Sequence, residues 1–221
     1  VTGGTSGLGL AIAERLAAGG AGRVVLAARR PPSPEAEAVV ARLAAGRAEI
    51  ETLPLDVTDA AAVATAIGAL SRADRPLRGI VHAAVVYADA LLPDTTAAGI
   101  GAVLAPKLTG ALNLTEAVVA AAPRLDFFVS LSSLAEVVGW PGQSSYAAAN
   151  AGLEALAQRQ RRLGLPGVTI NLGMISDLGF VARSSAMTSY LESAGWRPIP
   201  AGEAAAAVLR LAGSAPSVVT F

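Results

Sequence analysis

Cysteine is missing from all 221 residues, and histidine occurs once, at His82. The first absence excludes disulfides and thiol chemistry and fits a domain that folds without redox assistance, as cytoplasmic proteins commonly do. The second, with no acid cluster at ligand spacing, leaves zinc or iron without obvious ligands, so no metal is expected. Charge is scarce as well: 15% of the residues are charged, against about a quarter in an ordinary domain, and 17 Lys+Arg balance 17 Asp+Glu. No excess of either sign points to nucleic acid or an anionic membrane as a partner. Nor does any apolar run of the roughly 18 residues needed to span a bilayer escape interruption by a charge or a breaker, and no signal-peptide pattern opens the chain. A soluble, cytoplasmic domain is expected.

What is present is apolar: 53% of residues are hydrophobic, enough for one large core. Short strand-like runs alternate with helical stretches, so the expected architecture is a doubly wound, Rossmann-like α/β fold with one parallel sheet. The opening TGGTSGLGLAIAERLAAGG places Gly3, Gly7 and Gly9 before a helix on the period Leu8, Ile12, Leu16. Glycine there lets backbone N–H groups approach a pyrophosphate, which the positive helix end also attracts. A turn of this kind normally follows a full strand, yet only Val1 precedes Thr2. The first strand is therefore expected to be truncated at the N-terminus, and residues 1–221 to form one cofactor-binding catalytic subdomain of a larger polypeptide.

The next strand, RVVLAA, ends in Arg29 and Arg30. An acid at this point would suit NAD, whereas arginine suits a ribose 2′-phosphate, so NADPH is expected, with Arg29 the preferred contact. AEIETLPLDVTD ends in Asp56 and Val57; Asp56 can accept from an adenine amino group, while Asp59 caps the following helix. RGIVHAAVVYAD reads as a further buried strand, and its end at Ala83 and Ala84 leaves room for a ribose. Within it, His82 reads as a packed, hydrogen-bonded core residue rather than a base.

Chemistry concentrates after the strand LDFFVSLSS. The segment SSLAEVVGWPGQSSYAAAN puts Ser133 at a strand end and Tyr146 and Asn150 one turn apart on a helix. A phenol donates a proton to a carbonyl efficiently only if a nearby cation favours its ionised form. Lys107, in the helical segment GAVLAPKLTGALNLTEAVVAAA, is the candidate cation. Ser133 would then bond the substrate oxygen, Tyr146 would deliver the proton, and Asn150 would orient a water or hold the lysine. The stretch Met174–Pro200, with Phe180, Met187, Tyr190, Leu191 and Trp196, suits either a lid over an acyl substrate or plain core packing.

TGGTSGLG, LDVTD, VHAA, LAPKLTG, the double serine and YAAAN together resemble the short-chain dehydrogenase/reductase superfamily, and more narrowly the ketoreductase domain of polyketide synthases. Asn150 carries the narrower resemblance, because ordinary members have lysine four residues after the tyrosine and the polyketide branch exchanges lysine and asparagine. The resemblance covers Thr2 to about Gly173. It implies NADPH-dependent reduction of a β-ketoacyl thioester, carried on the phosphopantetheine of an acyl carrier protein, with neighbouring synthase domains as further partners. It also implies that Thr5, Ser6 and Leu8 line the phosphates beside the three glycines. The alternatives are a silent cofactor-binding structural domain of a megasynthase and a free-standing reductase of a small carbonyl. Three positions depart from the family pattern: Val85 replaces a glycine, Tyr87-Ala88-Asp89 replaces a Leu-Asp-Asp stretch, and Val138 stands where one stereochemical class has tryptophan, with Trp140 two residues on.

Overall fold

In the computed structural model, residues 1–178, 193, 195–213 and 216–221 are described. Strands β1 (Arg23–Ala28), β2 (Glu49–Pro54), β3 (Gly79–His82), β4 (Phe127–Ser133), β5 (Gly167–Leu172) and β6 (Val218–Thr220) are separated by helices. All strand pairings are parallel: β1 with β2 on one side, and β3, β4, β5 and β6 in that order on the other. Thr2 joins the two halves, bridging Ala27 on one flank and His82 on the other. Thr2 is a single bridging residue, and it sits where the strand order reverses, the usual place for a ligand crevice in an open α/β sheet.

Both faces of this sheet are covered, which is why its strands read as continuous apolar runs rather than alternating ones. Successive side chains still point to opposite faces. Ile80 and Phe128 pack with Val63, Ile67, Leu114 and Val118 of the helices α3 (Ala60–Ser71) and α5 (Gly110–Ala121). Their neighbours Val81 and Val129 pack on the other face with Ile12 of α1 (Gly7–Ala18) and Val208 of the last helix, Ala201–Leu211. Each such fully buried side chain contributes roughly 1.5–3 kcal/mol.

Helix ends follow the sequence cues. Ser33 caps α2 (Pro34–Ala44) by accepting from the Ala36 N–H, Asp59 caps α3 through the Ala62 N–H, and Gly164, just past α6 (Ser144–Arg162), has φ of 79°. Asp177 accepts from the Ala201 N–H at 2.7 Å and so holds the start of the last helix.

Two elements differ from the sequence expectation. The strand read in RGIVHAAVVYAD, with its end expected at Ala83 and Ala84, ends one residue earlier, at His82. Its partner on that side is Thr2, and Gly3 turns away at φ 63° into the loop before α1, so residues beyond Ala83 find no ladder to join. The helix through Lys107 is also not uniform: α4 (Ala97–Leu104) passes into a π turn, Ala105–Thr109, and then into α5. Pro106 lacks the N–H of a regular helix and would clash with the carbonyl four residues back, and the wider turn accommodates it. The continuous stretch Ala97–Ala121 has the length and hydropathy of a bilayer span, yet Val103, Lys107, Ala111, Leu114 and Val118 are buried against the rest of the domain.

Candidate active site at the carboxyl edge of the sheet

Every candidate residue from the sequence lies at or just beyond the carboxyl end of a strand or on a helix packed there. The glycine loop comes first. Gly3 needs its positive φ, and a Cβ on it would come within 2.8 Å of the Ala83 carbonyl; a Cβ on Gly9 would collide with the Gly3 carbonyl. The backbone therefore closes on itself only because side chains are absent. Ser6, in extended conformation, precedes α1 and makes no side-chain cap, so the N–H groups of the first turn are left for another acceptor. Thr5 is buried, while Ser6, Gly7 and Leu8 reach the surface. This cradle of backbone donors fits a dinucleotide pyrophosphate.

Arg29 and Arg30 are exposed at the end of β1. Across the β1–β2 pairing stands Asp56, whose Oδ1 accepts from the N–H and hydroxyl of Thr58 at 2.9 and 2.8 Å. Those bonds, helped by the charge of Arg29, hold the carboxyl below its ordinary range. Asp56 therefore remains an acceptor, with its other oxygen left to meet a ligand. Val57 is different: its side chain is buried, in a place where a Cβ on Gly110 would be 2.6 Å from Val57 Cγ2. Only its backbone can reach a cofactor, and the Val57 carbonyl already accepts from Asn113 Nδ2 at 2.9 Å. Ala83 and Ala84 are half-buried beside the loop, the Ala83 N–H bonding the Thr2 carbonyl at 3.1 Å.

The lysine and the tyrosine meet. Lys107 Nζ lies 5.0 Å from the centre of the Tyr146 ring and donates to the Leu131 carbonyl of β4 at 2.9 Å. Lys107 is 4% exposed and makes no salt bridge with a carboxylate among the described residues. Burial pushes its pKa down, and the neighbouring Tyr146 partly offsets this. A cation so poorly solvated acts strongly on whatever charge develops beside it. Ser133 Oγ accepts from the Ala135 N–H at 3.2 Å, which fixes its rotamer and leaves the hydroxyl proton for a substrate oxygen. Asn150 does not hold the lysine: it is fully buried, and neither amide atom has a partner. An orphaned buried amide costs on the order of 1–3 kcal/mol, so it marks a place prepared for a water or a ligand.

Three features were not foreseen. Tyr87 packs its ring on Tyr146, with centres 5.2 Å apart and planes at 48°, although Tyr87 itself is 59% exposed. The loop carrying it is clamped to the turn before α6 by Ala90 N–H to Gly142 carbonyl, 2.9 Å, and by Gln143 Nε2 to Asp89, 3.0 Å. Asp89 of the altered Leu-Asp-Asp stretch thus serves as an anchor. Behind Ser133, Ser132 and Glu136 form a contact at 3.5 Å, and burial, with Glu154 next to it, raises the Glu136 carboxyl above its ordinary range. His82 is the packed, hydrogen-bonded core residue expected from the sequence, its ring bonded at both nitrogens. Of the proposed lid, Phe180, Met187, Tyr190 and Leu191 lie outside the described residues. Trp196 lines a cavity of about 170 Å³ with Leu134, Ile199 and Phe221.

Burial pushes the His82 imidazole down from 6.5 to about 4. Above pH 6.5 the folded and unfolded chains both carry it neutral; as pH falls toward 4 only the unfolded chain takes the proton, so stability is lost across that window. The expected loss is about 3 kcal/mol. Urea midpoints between pH 7 and 4.5 should fall more steeply for the native sequence than for His82→Gln, and equal slopes would remove His82 as the source.

Comparison with known proteins agrees with this geometry. A family model described as the KR domain matches residues 1–177. The chain is 40% identical over 182 residues to a mycocerosic acid synthase-like polyketide synthase of Mycolicibacterium smegmatis, covering 81% of this chain and 9% of that protein. It therefore spans about a tenth of the length of such relatives. Among solved structures, the ketoreductase from the first module of phoslactomycin biosynthesis in Streptomyces sp. HK803 superimposes with a TM-score of 0.87 at 35% identity, covering 97% of this chain and 49% of that one. A short chain dehydrogenase from Burkholderia cenocepacia in complex with NADP superimposes with a TM-score of 0.82 at 28% identity, covering 100% of this chain and 94% of that one.

Proposed function

The chain belongs to the ketoreductase (KR) domain family of the short-chain dehydrogenase/reductase superfamily, and from that premise we propose that it reduces a β-ketoacyl thioester to the β-hydroxyacyl thioester in polyketide biosynthesis. The substrate would be presented by an acyl carrier protein, and the cofactor would be NADPH. The observation that carries the proposal is the placement of the Lys107 ammonium 5.0 Å from the Tyr146 ring, at the same sheet edge as an open glycine cradle.

Gly3, Thr5, Ser6, Gly7, Leu8 and Gly9 would hold the pyrophosphate, Arg29 the 2′-phosphate, and Asp56, Val57, Ala83 and Ala84 the adenosine side of the crevice. When bound, the cofactor supplies the hydride that adds to the ketone carbon. The protein's own residues handle the oxygen. Ser133 donates a hydrogen bond to it, and the Tyr146 phenol transfers a proton to it as negative charge develops there. Lys107 stabilises the phenolate left behind, and Asn150 would orient a water beside that pair. The product is a hydroxyl where the ketone stood.

The test is NADPH oxidation followed by absorbance with a β-ketoacyl N-acetylcysteamine thioester, alongside a simple ketone. Turnover of the thioester supports the proposal; preference for the simple ketone would favour a small-carbonyl reductase, and cofactor binding without turnover of either would favour a silent structural domain. Arg29→Ala should weaken NADPH roughly 10- to 100-fold while leaving NADH within about threefold, because only the former carries the extra phosphate. Equal losses in fluorescence titrations would take the 2′-phosphate away from Arg29.

A further inference from the structure

His82 joins two parts of the site that are remote in sequence. Its Nε2 lies 2.8 Å from the carbonyl oxygen of Lys107, and its Nδ1 lies 2.8 Å from the hydroxyl of Thr2. A carbonyl only accepts, so Nε2 carries the proton and Nδ1 must accept from Thr2. The Thr2 hydroxyl oxygen in turn faces the Ala83 N–H at 3.3 Å. All of this is dry: His82 is 1% and Thr2 4% exposed. The Lys107 carbonyl belongs to the π turn that Pro106 introduces, where regular helical bonding is interrupted.

We propose that His82 is a positioning residue for the reductase, holding the π turn through the Lys107 carbonyl so that the Lys107 side chain stays between the Leu131 carbonyl and the Tyr146 ring. Resting on the reductase reading above, it explains two features of the site. Among the described residues no carboxylate fixes this buried ammonium on its flexible four-carbon stem, so its direction comes from its backbone. The Lys107 backbone is anchored from the strand on one side, while its Nζ is anchored to the next strand on the other. Thr2, which opens the glycine loop, fixes the tautomer. The cofactor cradle and the lysine are thereby built on one imidazole. Gly110 belongs to the same arrangement, since a Cβ there would stand 3.3 Å from His82 Cε1 and closer still to Val57.

Because His82 is the sole histidine, a ¹⁵N-histidine label reports it without assignment. The intact protein should show the neutral Nε2–H tautomer from pH 8 to 5.5. An Nδ1–H tautomer, or titration with a midpoint near that of free imidazole, would overturn the proposal. In the NADPH assay, His82→Leu should lower kcat roughly 10- to 100-fold, as expected when a reacting group is misplaced by about an ångström, with KM for NADPH held within about threefold. His82→Gln, whose amide can donate from near the Nε2 position, should recover most of that loss. Equal kcat for His82→Leu and the native protein overturns the inference, as does a loss that Gln does not rescue. If the native protein turns over no β-ketothioester, the reductase reading fails, and the tautomer still decides the hydrogen-bond chain. Should His82→Leu not fold, the same spectrum and the Gln variant decide it.

Discussion

Tyr146→Phe is expected to lower kcat for thioester reduction by about 10³-fold or more, the upper part of the range for removing a general acid, with NADPH affinity nearly unchanged. The change deletes one oxygen and keeps the ring. The ring contacts with Tyr87 and Lys107 Nζ, at 5.2 and 5.0 Å, can persist, so the folded protein should melt close to its normal temperature. Among the described residues no other phenol replaces it cleanly. Tyr87 stacks on Tyr146 from an exposed loop, and its neighbours anchor that loop rather than aim it at a ketone. Stopped-flow or steady-state NADPH oxidation checks the rate, and fluorescence titration checks the cofactor. Retained turnover would remove Tyr146 as the proton donor. A parallel loss of NADPH binding would mean that the variant disturbed the crevice, which the geometry does not predict.

Much of this site was legible before coordinates because its residues sit at strand ends, and strand ends are marked by local composition. Ser133 follows a run of Phe, Val and Leu; Asp56 and Arg29 likewise close apolar runs; and Gly3, Gly7 and Gly9 stand where a strand becomes a helix. The spacing of Tyr146 and Asn150 needed only the helical period. What stayed hidden depends on pairs distant along the chain. Thr2 and His82 bond each other across the sheet, and nothing in the sequence around either announces the other. The early end of β3 has the same origin: it is decided by where Gly3 turns, not by the apolar residues that continue past His82. Pro106 did signal an interruption in its helix, but not that a π turn would absorb it or that the freed carbonyl would find an imidazole. Asn150 was expected to orient a water or hold the lysine, and it does not hold the lysine: the Leu131 carbonyl of β4 takes the ammonium at 2.9 Å.

Lys107→Met separates catalysis from folding. Methionine nearly matches the volume of the lysine stem, so packing in this buried position is largely kept. Two terms then compete in stability. The Leu131 carbonyl loses its donor, costing on the order of 1–3 kcal/mol if no water replaces it. Against this, a buried amine with a depressed pKa takes up its proton more readily in the unfolded chain, so its charge lowers stability at every pH below about 10. Removing that charge works in the opposite direction, so the net change should be smaller than the loss of the donor alone, a melting shift of roughly a few °C in a domain of this size. Activity has no such compensation. Without the ammonium, the phenolate formed when Tyr146 gives up its proton has no cation beside it, and kcat should fall about 10²- to 10³-fold, as when one preorganised electrostatic group is removed from a dry site. Calorimetry and NADPH oxidation on the same preparation provide the two readouts. If turnover and melting temperature fall together, Lys107 is mainly a structural group; if turnover falls while melting holds, its place beside the Tyr146 ring serves the chemistry.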